Sequence, residues 1–189
     1  MNESNLNLIV FNDQFASKII KSHQNKEQSI VFDYSPSQGR ISKIEPLIRF
    51  RLITELSLIG HNINDITNIC VLTNLKKLNL SWNRIESIGN LMKLNQLEIL
   101  HLGHNQITTI PKSISNLSNL KSLQLSNNPI SEKNTFFSMK DNFNLTCLDF
   151  ESTPLSCDQD SLSFCIYVLP QLTIINRTQI EPEMRIESN

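Results

Sequence analysis

The sequence has little of what chemistry requires. Four glycines in 189 residues leave no phosphate-cradling loop, and no GxSxG or HExxH motif occurs. The cysteines, Cys70, Cys147, Cys157 and Cys165, form no CxxC pair and no paired-histidine spacing, which argues against a zinc site or a disulfide framework. A net charge of −1 sets up no basic field for nucleic acid or for an acidic membrane. The longest apolar runs are far too short for a bilayer span. The amino end, MNESNLNLIVFNDQ, lacks the basic start and apolar core of a secretory signal. The expectation is an intracellular, cytoplasmic protein without catalytic residues, metal or cofactor. A nuclear or ciliary location fits the same composition.

What the sequence does have is repetition. Leu78, Leu80, Asn83, Ile85 and Ile88 are answered 22 residues on by Leu100, Leu102, Asn105, Ile107 and Ile110. Upstream, Leu56, Leu58, His61, Ile63 and Ile66 hold the same positions. Downstream come Leu123, Leu125, Asn128 and Ile130, then Leu148, Phe150, Thr153 and Leu155. A degenerate first unit places Phe32 and Tyr34 on the paired positions and Ile41 and Ile44 after them. The strand period holds for three residues only and then breaks, so the pattern describes stacked coils.

The asparagines have a physical role in such a coil. After each short strand the chain bends away, leaving backbone donors and acceptors facing inward, out of reach of water. An amide side chain carries both kinds of group and can satisfy them. Asn83, Asn105 and Asn128 therefore read as a structural ladder, with His61 and Thr153 as hydrogen-bonding substitutes.

The motif LxxLxLxxNxI resembles the leucine-rich repeat over residues 30–180. The 22-residue units most resemble the short subclass of the phosphatase-1 regulatory leucine-rich-repeat subunit, which also occurs in axonemal dynein light chain and the spliceosomal A-prime subunit. That resemblance implies an α/β solenoid with short parallel strands on a concave face and irregular or short helical segments on the convex side. It divides the chain into an amino-terminal capping segment (1–29), about six repeats (30–155), a carboxyl-terminal cap (156–181) and a flexible tail (182–189). Tyr167 to Leu172 resembles the cap of that group, with Asn176 where the usual aspartate stands. The function implied is noncatalytic protein binding by an adaptor or regulatory subunit. The alternative is a permanent component of a ciliary or ribonucleoprotein assembly.

A solenoid needs covered ends. Asn12 and Asp13 read as the cap of a covering helix with Phe15, Ile19 and Ile20 on one side. Asp158 and Asp160 read as the start of a carboxyl-terminal helix burying Leu162, Ile166 and Leu169. The longer unit around Phe136, Phe137 and Met139 either packs inward as a helical segment or protrudes as a binding loop.

Residues between the paired leucines point outward and line the concave face: Asp33, Ser57, Asn79, His101, Gln124 and Asp149. Their neighbours are Ser35, Ile59, Ser81, Gly103, Ser126 and Glu151. Trp82, the only tryptophan, lies on the rim beside His101 and His104, where it either meets a partner or covers its coil. Asn79, Trp82, His101, His104, Gln124, Asp149 and Glu151 are the candidate contacts for a protein partner. With acids at Asp149 and Glu151 and lysines at Lys76, Lys77 and Lys121, the face is mixed in sign, which favours protein over nucleic acid. Outside its complex the chain is expected to be a monomer.

Overall fold

The computed structural model describes residues 8–12, 14–16, 29–33, 40–45, 47–158 and 160–186. Its main sheet contains β2 (Ser29–Val31), β4 (Glu55–Ser57), β5 (Lys77–Asn79), β6 (Ile99–His101), β7 (Ser122–Gln124), β8 (Cys147–Asp149) and β9 (Ile174–Ile175). These are parallel neighbours in that order, and β10 (Thr178–Gln179) closes the end antiparallel to β9. A second, two-stranded parallel sheet pairs β1 (Leu8–Phe11) with β3 (Arg40–Ile44). The fold is an α/β leucine-rich-repeat solenoid.

The spacing of apolar residues explains both sides of each coil. On the sheet side, Leu56, Leu78, Leu100, Leu123 and Leu148 are register partners, and each is at most 2% exposed. On the convex side the period changes to three: Ile69, Leu72, Leu75; Leu91, Leu94, Leu97; Ile114, Leu117, Leu120, all fully buried. Three residues per turn is the 3₁₀ repeat. The N–H of Leu94 accordingly donates to Leu91 O and that of Leu97 to Leu94 O, both at 2.9 Å, and the neighbouring coils repeat the arrangement. Each such leucine contributes about 1.5–3 kcal/mol by leaving water.

The bend after each strand is held by an amide. Asn105 Nδ2 donates to Leu80 O and Leu102 O at 3.0 Å and to Gly103 O at 3.3 Å, while its Oδ1 accepts from Ile85 N at 3.0 Å. Asn83 makes the same set with Leu58 O, Leu80 O, Ser81 O and Ile63 N. Asn128 does so with Leu102 O, Leu125 O, Ser126 O and Ile107 N. Every amide thus ties its own coil to the one before. Thr153 departs from the ladder: it accepts from Ser156 N and donates to Phe150 O, capping a 3₁₀ turn over Pro154–Cys157.

The residue just before the amide position adopts left-handed backbone in each coil: Gly60, Trp82, His104, Asn127 and Ser152 have φ between 56° and 81°. Four of these five carry side chains, a conformation that costs roughly 1–2 kcal/mol per residue. The coil geometry imposes it, because the ladder bonds can form only if the chain reverses there.

Both ends differ from the sequence expectation. The first repeat is shifted by two residues: Ile30 pairs with Leu56 and Val31 with Ser57, so Val31, not Asp33, stands in the outward row. Phe32 follows in the position of Leu58 and is 7% exposed, while Tyr34 and Ser35 lie outside the described residues. The insertion that blurs the repeat had hidden this register. At the amino end, β1 was not foreseen. It packs Phe11 inward, and Asn12 Oδ1 accepts from Phe15 N at 3.0 Å to start a helical turn over residues 14–16. Phe15 sits edge-on to both Phe11 and Phe32. Ile19 and Ile20 lie outside the described residues.

At the carboxyl end, α2 (Ser161–Val168) buries Cys165 and Ile166 with Leu169 after it, but Leu162 is 37% exposed. Its inward face begins at Ser161, one position earlier than the apolar spacing suggested. Residues 182–186 form α3 (Pro182–Ile186), not a loose tail. Met184 packs partly against the core, and Arg185 donates to Leu172 O at 2.5 Å. In the lengthened unit, α1 (Thr135–Ser138) turns Phe136 and Met139 fully inward and leaves Phe137 half exposed, edge-on to Phe164 at 5.6 Å.

Candidate protein-interaction face

Two rows of side chains cover the concave sheet. The row between the paired leucines is Val31, Ser57, Asn79, His101, Gln124 and Asp149. Two residues earlier in each strand stands a second row, Ser29, Glu55, Lys77, Ile99, Ser122 and Cys147. The sequence reading missed this second row, although a two-residue strand period sufficient to find it runs through every unit. Of the neighbouring positions named from sequence, Glu151 is exposed and Ile59 half-buried, whereas the middle three are not outward. Ser81, Gly103 and Ser126 are buried, and a Cβ on Gly103 would come within 3.1 Å of Ser126 Oγ.

From Ser57 to Gln124 the row between the paired leucines is uncharged and able to hydrogen-bond. Asn79 Oδ1 accepts from Ser81 N at 3.0 Å, and its amide lies 3.5 Å from the His101 Nδ1 nitrogen. Burial lowers the pKa of His101, so the imidazole is neutral near pH 7. A shallow hollow over β2 to β6 is lined by Val31, Ser57, Asn79 and His101 of the first row and by Glu55, Lys77 and Ile99 of the second.

The charges around this strip are paired. Lys77 and Glu55 meet at 2.8 Å across β4 and β5, and that hydrogen bond raises the lysine pKa. Lys121 and Glu98 meet at 2.6 Å, and the lysine lowers the carboxyl pKa. At the far end Arg177, itself left-handed with φ 65°, bridges both acids of the face. Its Nε reaches Asp149 Oδ2 at 3.1 Å and its Nη1 reaches Glu151 Oε2 at 3.2 Å. Asp149 is only 5% exposed and also accepts from Glu151 N. Asp149 is therefore an internal brace, and Glu151 is the exposed member of the pair.

Trp82 and His104 stand together on the rim, on successive coils. Their rings stack with centroids 3.5 Å apart and planes 13° from parallel, and Trp82 is 58% exposed. Burial lowers the His104 pKa as well. His101 belongs to the sheet row and does not join this stack. Among the described residues no group of three or more His, Cys, Asp or Glu side chains could hold a metal ion, and no helix is long and apolar enough to cross a membrane.

A leucine rich repeat family model matches residues 73–130. No curated protein matches the chain. Among solved structures, a chain of the Drosophila melanogaster SNF/U2A′ complex aligns with TM-score 0.64 and 24% identity, covering 68% of this chain and 75% of that one. An internalin of Listeria monocytogenes aligns with TM-score 0.64 and 18% identity, covering 85% of this chain and 54% of that one. A leucine-rich-repeat protein of Leptospira interrogans aligns with TM-score 0.61 and 26% identity over 71% of this chain, which spans 34% of its length. Residues 73–130 thus carry the leucine rich repeat, and the fold built around them is that of a leucine-rich-repeat protein.

Proposed function

We propose that this chain is a noncatalytic protein–protein interaction module, an adaptor or regulatory subunit that holds a protein partner on its concave face. One observation carries the reading. Ser57, Asn79, His101 and Gln124 form an unbroken strip of neutral hydrogen-bonding side chains on successive strands, each partly exposed. The strip is held rigid by the leucine core behind it, and concave solenoid faces are extended binding surfaces. The repeat length and the LPxL cap favour the short 22-residue subclass. The composition favours an intracellular monomer that meets its partner in the cytoplasm.

Affinity capture from native extract, followed by binding measurements on variants, tests this. Asn79→Ala, His101→Ala and Gln124→Ala should each weaken the captured partner by roughly 1–3 kcal/mol while leaving the melting temperature nearly unchanged. Retained affinity in all three, with loss on altering Phe137, would move the partner to the α1 segment. A second reading, a permanent component of a larger assembly, draws on the fold shared with a chain of the SNF/U2A′ complex. Extraction separates the two: an adaptor is recovered alone in soluble form, and a permanent component stays with its assembly.

A further inference from the structure

The left-handed positions line up as a ridge beside the sheet, in the order Gly60, Trp82, His104, Asn127 and Ser152. The ridge has a gap. His104 covers one face of the Trp82 indole. On the other side the preceding coil presents Gly60, which has no side chain, so the second indole face has no ridge neighbour against it. Gly60 N donates to Ser81 O at 3.0 Å, which places this coil directly beside the one that carries Trp82.

A carboxylate lies at the same level. Asp33, one coil further on, reaches forward so that its Oδ1 accepts from Ser57 Oγ at 2.6 Å and from Ile59 N at 2.9 Å. The carboxylate is thereby drawn up to the coil that contains Gly60. Both donors are neutral, and no ion pair to Asp33 occurs among the described residues. Arg40, on the neighbouring turn, donates to Asn62 Oδ1 at 3.3 Å.

We propose that the gap above Gly60 is a recognition slot for an arginine side chain of the protein partner. The proposal rests on the reading that the adjoining face binds a protein. Successive coils are separated by about 4.8 Å. A guanidinium lying flat on the indole sits about 3.5–4 Å above it, close to the level of the Gly60 coil and of the Asp33 carboxylate. Arginine is planar, stacks on aromatic faces and carries its donors in the plane of the fork, so it can meet the indole and the carboxylate together. A lysine ammonium meets the charge without the planar stack. A neutral planar group meets the indole and leaves the carboxylate uncompensated.

Trp82 is the only tryptophan of the chain, so its emission reports on this slot alone. The full chain is titrated with N-acetyl-arginine amide and, separately, with N-acetyl-citrulline amide, a neutral isostere. The expected result is a saturable change in emission with the arginine probe in the millimolar range, with citrulline roughly tenfold weaker. Asp33→Asn keeps the Oδ1 acceptor and the fold, and should bring the arginine response down to that of citrulline. Equal responses to the two probes, or an arginine response unchanged by Asp33→Asn, would overturn the slot.

The captured partner separates this inference from the face on which it rests. Loss of binding in Asn79→Ala and His101→Ala with full binding in Asp33→Asn overturns the slot and leaves the face. Full binding in the sheet variants with loss in Asp33→Asn and Trp82→Ala supports the slot and overturns the face.

Discussion

His61 does with two ring nitrogens what Asn83 does with an amide one coil later. Its Nδ1 accepts from Ile41 N at 3.2 Å, as Asn83 Oδ1 accepts from Ile63 N. Its Nε2 faces Phe32 O at 2.7 Å, as Asn83 Nδ2 faces Leu58 O. A carbonyl can only accept, so Nε2 carries the proton and Nδ1 is bare. The ring also lies parallel to Phe32 with centroids 5.5 Å apart, which an asparagine could not do.

That tautomer makes the first coil sensitive to acid. Desolvation by burial is the largest influence on His61 and lowers its pKa below the ordinary 6.5. Stability from the neutral ring is therefore complete above 6.5 and is lost as the pH falls below 6.5 toward the folded value. Burial lowers His101 and His104 in the same direction. Melting temperatures of the wild type should drop between pH 7.5 and 5. His61→Asn should show a smaller drop, since its replacement does not titrate. An equal drop in both proteins would remove His61 as a source of the effect.

Asn105→Leu should cost roughly 1–3 kcal/mol in urea denaturation, the range for one orphaned buried group. It leaves the Ile85 N–H without an acceptor, while Leu80 O, Leu102 O and Gly103 O lose one donor each and keep Asn83 Nδ2, Asn128 Nδ2 and Trp82 N. Asn79→Leu, on the partly exposed face, should stay within about 1 kcal/mol, because water can replace its bonds.

Arg177→Ala should destabilise the carboxyl end by about 1–2 kcal/mol, well under the value for a buried pair because the arginine side chain is 64% exposed. The loss would come from Asp149, whose side chain stays 7% exposed and would face Glu151 without a cation. Adding Asp149→Asn to Arg177→Ala should recover part of it, since the amide oxygen can still accept from Glu151 N. No recovery in the double variant would show that Arg177 acts through packing.

Deleting residues 182–189 should lower stability by about 1–2 kcal/mol, the order expected for withdrawing a partly buried methionine and one hydrogen bond. Met184 packs against the core and Arg185 meets Leu172 O. Thermal unfolding of the truncated chain measures this, and an unchanged transition would return the segment to the status of a loose tail.

The repeats themselves were legible because a solenoid makes the same contacts at every coil. Leu78, Leu100 and Leu123 share one environment, and Asn83, Asn105 and Asn128 share one set of bonds, so periodicity alone marked the core and the ladder. The ridge could not be read so simply. Nothing in the residue types Trp82 and His104 announces left-handed backbone, which follows from how each coil must turn to close its ladder.

The sequence by itself determined the period, the strand positions from Leu56 to Leu148 and the residues that look outward between them. Tertiary structure alone decided whether those residues are free. Asp149 is withdrawn from the face by Arg177, 28 positions away, and Ile30 takes the place assigned to Phe32 once the first coil is seated against the second. The physical reason is the same in both cases. Contacts between middle coils recur at one separation and leave a pattern in the chain, whereas contacts at the ends occur once, at separations that no period encodes.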